Sequence, residues 1–346
     1  MPVLRWLRRA AAGACVTLIL LHAASAEPFW RSAVKTIAPE RMTVATPAGS
    51  GEIPLFLSAD WTHVLPGVRR AVIVIHGIDR DAAVTMRGVE SARLAAGTAG
   101  EAVLIIVPQF LVSVDVRTFG LPETILRWGI DAWSEGSPAL GPASVSSYDV
   151  LDAILRRLAD PAILPDLREV VLAGHSAGGQ MVQRYAAVAK DSPLLAARGI
   201  HVRYVVANPS SYLYFSSDRP RPEDAAFCPA FNRWRYGLTG APRYAGSTNG
   251  LEARYVTRHV VYLLGTADND PNHIALDRSC AAEAQGPYRL ARGEAFFAYL
   301  KARHPDMATQ HLALVAGVGH SSTRMFRSVW GMAALFDSPG CPEAAQ

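Results

Sequence analysis

Short, unbroken apolar runs constrain this chain more than any other feature. They are AVIVI (71–75), AVLIIV (102–107), EVVLA (169–173), RYVVA (203–207), HVVYLL (259–264) and HLALVA (311–316). Runs of this length without polar alternation read as strands covered on both faces, the situation that parallel βαβ construction creates. Helix-like segments separate most of them. In SSYDVLDAILRRL (146–158), Ser146 and Asp149 suit a capping box, while Val150, Leu151, Ile154, Leu155 and Leu158 fall on one face. Met181, Val182, Tyr185 and Ala186 make a second stripe, Phe296, Phe297 and Leu300 a third. A last helix carries Met325, Val329, Trp330 and Leu335. Ahead of the series, RMTVAT and EIPLFLS flank the turn-forming PAGSG and read as a hairpin. The expected fold is therefore α/β and doubly wound: a mostly parallel sheet opened by an N-terminal antiparallel hairpin.

Two stretches break the alternation, at about 110–145 and 210–255. Both are loop-like and rich in aromatic and turn residues. Long irregular segments in compact domains are site-covering loops or surface insertions, and large aromatics favour the first because they offer contact area at low entropic cost. Trp128, Trp133, Tyr212, Tyr214, Trp234 and Tyr236 either line a pocket or pack within the insertions.

The chain begins with Arg5, Arg8 and Arg9, then a mostly apolar run, then Ala24-Ser25-Ala26. That order is expected of a secretory signal peptide cut after Ala26, because the run is too short and alanine-rich for a spanning helix. Residues 27–346 then form a single domain with the two insertions, in a secreted or periplasmic setting. Of 34 basic and 30 acidic residues, the leader removes three arginines and no acid, so the mature chain is close to neutral. Nothing in that balance points to nucleic acid or to a stable membrane association after leader removal. Cys228, Cys280 and Cys341 remain, an odd number in a compartment where disulfides persist. Three pairs are possible, and Cys228 with Cys280 is favoured because both sit in loops within the body of the domain. No CxxC or HxxxH spacing suggests a zinc site, and no metal is expected.

The run EVVLA leads into Gly174-His175-Ser176-Ala177-Gly178 and then a helix, the strand, turn and helix setting of a nucleophile elbow. Small residues two before and two after the serine allow the strand and helix backbones to approach. The pentapeptide alone is weak evidence, since glycine is common. A serine also needs a base within hydrogen-bond reach and a group that orients the base. HVVYLLGTADND ends in Asp268, with Asp270 as competitor, and HLALVAGVGHSS ends in His320. The Gly-x-x-Asp spacing favours Asp268. Both follow predicted parallel strands, at the carboxyl edge where open α/β sheets carry their sites. Asn208, not an acid, follows the strand before. An oxyanion hole needs two amides: Ala177 after the serine, and Ile78 after the His76-Gly77 turn. His76, Trp133, Asn208, Tyr212 and Trp234 are candidate substrate contacts. Arg80, beside the same turn, reads as a surface salt-bridge residue sooner than as an anion contact.

With the order Ser176, Asp268, His320, the chain resembles the α/β-hydrolase superfamily over nearly all its mature length. GHSAGGQM and the secreted setting look like its esterase and polyhydroxyalkanoate-depolymerase-like groups. HGIDRDA, NPSSYLY and NRWRYGL are similar to a poorly characterised set of hydrolase-like proteins, which implies no substrate. The first resemblance implies Ser176 as nucleophile, His320 as general base then acid, and Asp268 as its orienting partner, acting on a small-molecule or polymeric ester without a cofactor. A serine peptidase or amidase, or a non-catalytic binding protein on the same fold, stands as the alternative.

Overall fold

A computed structural model describes residues 28–339. The expected leader and Cys341 lie outside the described residues. The chain builds one eight-stranded sheet in the order β1-β2-β4-β3-β5-β6-β7-β8. These are β1 (Glu40–Thr46), β2 (Gly49–Leu57), β3 (Arg70–Ile75), β4 (Val103–Pro108), β5 (Glu169–His175), β6 (His201–Ala207), β7 (His259–Gly265) and β8 (Gln310–Val315). Strand β2 runs antiparallel to both its neighbours, and every other pairing is parallel. Each apolar run is a strand, as expected.

The helices that position the site are α1 (Ala82–Ala95), α2 (Ser147–Leu158), α3 (Ala177–Val188), α4 (Arg289–Arg303), α5 (Ser322–Arg327) and α6 (Val329–Phe336). Alternate strand residues face opposite layers. Ile73, Leu172, Val206 and Tyr262 share a core with residues of α2, α3 and α4, whereas Val72, Val171, Val205 and Leu263 pack with α1, α5 and α6. Ser146 caps α2 and Asp149 bonds back to its amide. Val150, Leu151, Ile154, Leu155 and Leu158 are all buried, and burying each such side chain contributes roughly 1.5–3 kcal/mol.

Local departures have local causes. The hairpin turn is only Pro47-Ala48, because Thr46 already pairs with Gly49. Glycine at 51 serves packing: a Cβ there would lie 2.7 Å from Leu126 of the first insertion. The last predicted helix is two helices, split at Ser328, whose hydroxyl accepts from the Gly331 amide. Strand β8 is the sheet edge, so Leu314 is exposed despite lying in an apolar run. Cys228 and Cys280 form a disulfide with Cα atoms 5.6 Å apart. No helix among the described residues is long and apolar enough to cross a membrane.

Candidate active site

Strand β5 ends at His175 and α3 begins at Ala177, so Ser176 alone makes the bend. Its φ of 58° and ψ of −122° are values that L-residues seldom adopt, and the surrounding packing enforces them. A Cβ on Gly174 would sit 2.3 Å from the Gly178 carbonyl, one on Gly178 2.3 Å from the Ile75 oxygen, and one on Gly179 2.6 Å from the Ala207 oxygen. The three glycines thus let α3 close onto β3, β5 and β6. The Ser176 amide donates to the Ala207 oxygen at 3.0 Å, which ties the bend to β6. Ser176 stands at the helix N-terminus, whose partial positive charge favours an anion.

Asp268 and His320 reach the same sheet edge from the ends of β7 and β8. His320 Nε2 lies 2.9 Å from Ser176 Oγ, and His320 Nδ1 lies 2.7 Å from Asp268 Oδ2. With the carboxylate accepting at Nδ1, that nitrogen carries the proton and Nε2 is free to accept from the serine. Asp268 is 3% exposed. Asp270 is exposed and accepts from the Asn272 amide in a turn, so it is Asp268 that meets the histidine. Burial lowers His320 below its ordinary 6.5, the Asp268 hydrogen bond opposes that shift, and the nearby Arg289 charge reinforces it.

Beside Ser176 lies a cleft of about 180 Å³. Ile78 and Ala177 are both in its wall. So are Trp133, Gln180, Asp131, Arg235 and Ile274, and Trp30 from the start of the described chain. Other sequence candidates stand behind this wall, which corrects their expected role as contacts. His76 is buried, with Nε2 accepting from the Phe110 amide at 3.0 Å and Nδ1 donating to the Gly77 oxygen at 2.8 Å. It braces the Ile78 turn against the first insertion. Asn208, also buried, accepts from the Gly265 amide at 2.9 Å and so joins the ends of β6 and β7. Tyr212 stacks on Phe296 in the core. Trp234 donates its indole N–H to the Glu135 oxygen at 2.8 Å, linking the two insertions. Trp133 alone of that set faces the cleft, resting against His76 with ring centroids 4.6 Å apart.

Arg80 is not at the surface. It is fully buried, pairs with buried Asp115 at 2.8 Å, and donates to the Trp30 and Ser32 carbonyls. Gln180 and Arg235 are ordinary polar positions in the sequence, and only the folded insertions bring them into the cleft wall. Among the described residues, no three His, Cys, Asp or Glu side chains gather as a metal ion would require.

The sequence profile of the alpha/beta hydrolase family matches residues 72–327. The chain belongs to that family. Among solved structures, this family member is similar to poly(aspartic acid) hydrolase-1 from Sphingomonas sp. KT-1, with 21% identity, a TM-score of 0.59, and coverage of 86% of this chain and 99% of that one. It is similar also to LpqC, a poly(3-hydroxybutyrate) depolymerase from Bordetella parapertussis, with 21% identity, a TM-score of 0.59, and coverage of 89% and 93%. At such identities the likeness concerns the fold. No curated protein sequence matches the chain. In this alpha/beta hydrolase, the start of α3, the turn after β3 and the loop after β7 contribute Ala177, Ile78 and Ala275 to the cleft wall.

Proposed function

We propose that the chain is an exported serine hydrolase that cleaves carboxylic esters through an acyl-enzyme. One observation carries this reading: the continuous hydrogen-bonded series Ser176, His320, Asp268, beside a cleft walled by Ile78 and Ala177. Ser176 Oγ attacks the ester carbonyl while its proton passes to His320 Nε2. The amides of Ile78 and Ala177 receive the oxyanion. As the tetrahedral centre collapses, the C–O bond to the alcohol breaks and the alcohol leaves with the proton from Nε2. Water then gives a proton to Nε2 as it attacks the acyl-serine, the C–Oγ bond breaks, Nε2 returns the proton to Ser176 Oγ, and the acid is freed. The small cleft suits a short acyl group. Export is supported by the leader pattern and by the disulfide, which persists in an oxidising compartment.

The test is purified mature protein on a panel of short p-nitrophenyl esters, polyester films and peptide amides, with a fluorophosphonate probe in parallel. Ester turnover and labelling at Ser176 are expected, and Ser176→Ala or His320→Ala should each lower kcat by several orders of magnitude, non-additively when combined. Asp268→Asn should cost far more than Asp270→Asn. Folded protein that neither turns over esters nor takes the label overturns the proposal.

A further inference from the structure

The acid of the proposed triad has a second partner that the reaction scheme leaves unused. Asp268 Oδ2 faces His320, but Oδ1 faces Arg289 Nη1 at 3.3 Å. Arg289 opens α4 and is 1% exposed, so the pair is shielded from water and salt. The rest of the guanidinium is also engaged. Nε donates to Ser210 Oγ at 3.0 Å, and Nη2 donates to the Ala275 oxygen at 2.6 Å and to His273 Nδ1 at 3.4 Å. Ser210 and Ala275 both belong to the cleft wall. The amide of Leu290, next in α4, donates to the Asp268 carbonyl at 3.2 Å. One buried side chain therefore holds the acid, the loop after β6 and the loop after β7 in a single fork of donors.

We infer that Arg289 is a positioning residue of the triad, aiming the Asp268 carboxylate at His320 and setting the field in which that imidazole gains and loses its proton. The inference rests on the proposed roles of Ser176, His320 and Asp268. Groups that face His320 are Ser176, Asp268 and Arg289, with the rings of His273 and His175 at centroid distances of 4.9 and 4.6 Å. His273 accepts at Nδ1 from the Ala275 amide as well as from Arg289, and burial lowers its proton affinity, as it does that of His175. Both rings are neutral at neutral pH. The charges acting on His320 are then Asp268, which favours its protonation, and Arg289, which opposes it. Removing the arginine leaves the aspartate uncompensated, so His320 should take up its proton at higher pH.

The experiment compares wild type, Arg289→Lys and Arg289→Met by NMR titration of the His320 ring and by the pH profile of kcat/KM. In wild type the acid limb should fall below pH 6.5. In Arg289→Met both the ring titration and the limb should move up by roughly half a unit or more, with kcat reduced. Arg289→Lys keeps the charge but not the fork, so its limb should stay near wild type while kcat falls and KM rises. Arg289→Gln replaces the methionine variant if that one does not fold. An unmoved His320 titration in a folded neutral variant overturns the inference, as does an equal response of the lysine and neutral variants. The ring titration needs no turnover. An inactive, unlabelled wild type therefore sinks the proposed function, while the titration still reads the inference separately.

Discussion

A buried imidazole that stays neutral makes the folded state sensitive to acid. Burial draws His76 down to about 4, although its bond to the Gly77 carbonyl acts the other way. His175 is lowered too, chiefly by burial. Between about 4 and 6.5 the unfolded chain binds protons that the folded chain refuses, so stability is full above 6.5 and declines as pH falls through that window. For His76 alone the decline amounts to about 3 kcal/mol by pH 4. Urea midpoints at pH 7 and pH 4.5 should differ accordingly, and equal midpoints would refute the neutral assignment. At this scale the residues of the proposed triad were legible because each stands at a strand end among small residues. Gln180, Arg184 and Arg289 were not. On a helix wheel Gln180 and Arg184 read as a wet face of α3, and Arg289 as a polar first residue of α4, yet Gln180 Oε1 accepts from both Arg184 and Ser211, because the surrounding segments cover every residue of α3.

Among elements, the elbow shows how tightly the sheet and α3 constrain each other. Gly178 approaches the backbone of β3, which cannot yield as a flexible side chain can. Gly178→Ala should therefore cost at least the ~1–3 kcal/mol typical of overpacking and should misplace Ser176, which a denaturation curve and fluorophosphonate labelling would register together. Unchanged stability and labelling would mean that the close approach is not required. The strands were legible because apolar runs bounded by turn residues carry their own signal, and the hairpin was legible for the same reason. The split between α5 and α6 was not: the pattern of Met325, Val329 and Trp330 continues across Ser328, where the backbone turns extended and the hydroxyl accepts from the Gly331 amide. The edge position of β8 is equally a matter of neighbours, which no local pattern carries.

For the whole molecule, the decisive contacts join segments far apart in the chain. Arg80 and Asp115 tie the turn bearing Ile78 to the first insertion and to the carbonyls of Trp30 and Ser32. Removing one partner of a fully buried ion pair typically costs about 3–5 kcal/mol. Asp115→Ala should lose stability on that scale in urea unfolding and should weaken the proposed ester hydrolysis through Trp30 and Ile78. A loss below 1 kcal/mol would show that the pair is not what holds these segments. Sequence reading placed Arg80 at the surface because its partners lie beyond any local window. The insertions likewise meet through Trp234 and Arg235 against Glu135, a junction invisible in either stretch alone. Trp30 has a practical consequence for anyone preparing the protein. Pro28 lies within roughly 7 Å of Trp30, one of the residues that wall the cleft, so an affinity tag joined directly ahead of it would start close to that wall. Batches differing by a few N-terminal residues would then differ in apparent substrate preference, and the handle for purification belongs at the other terminus.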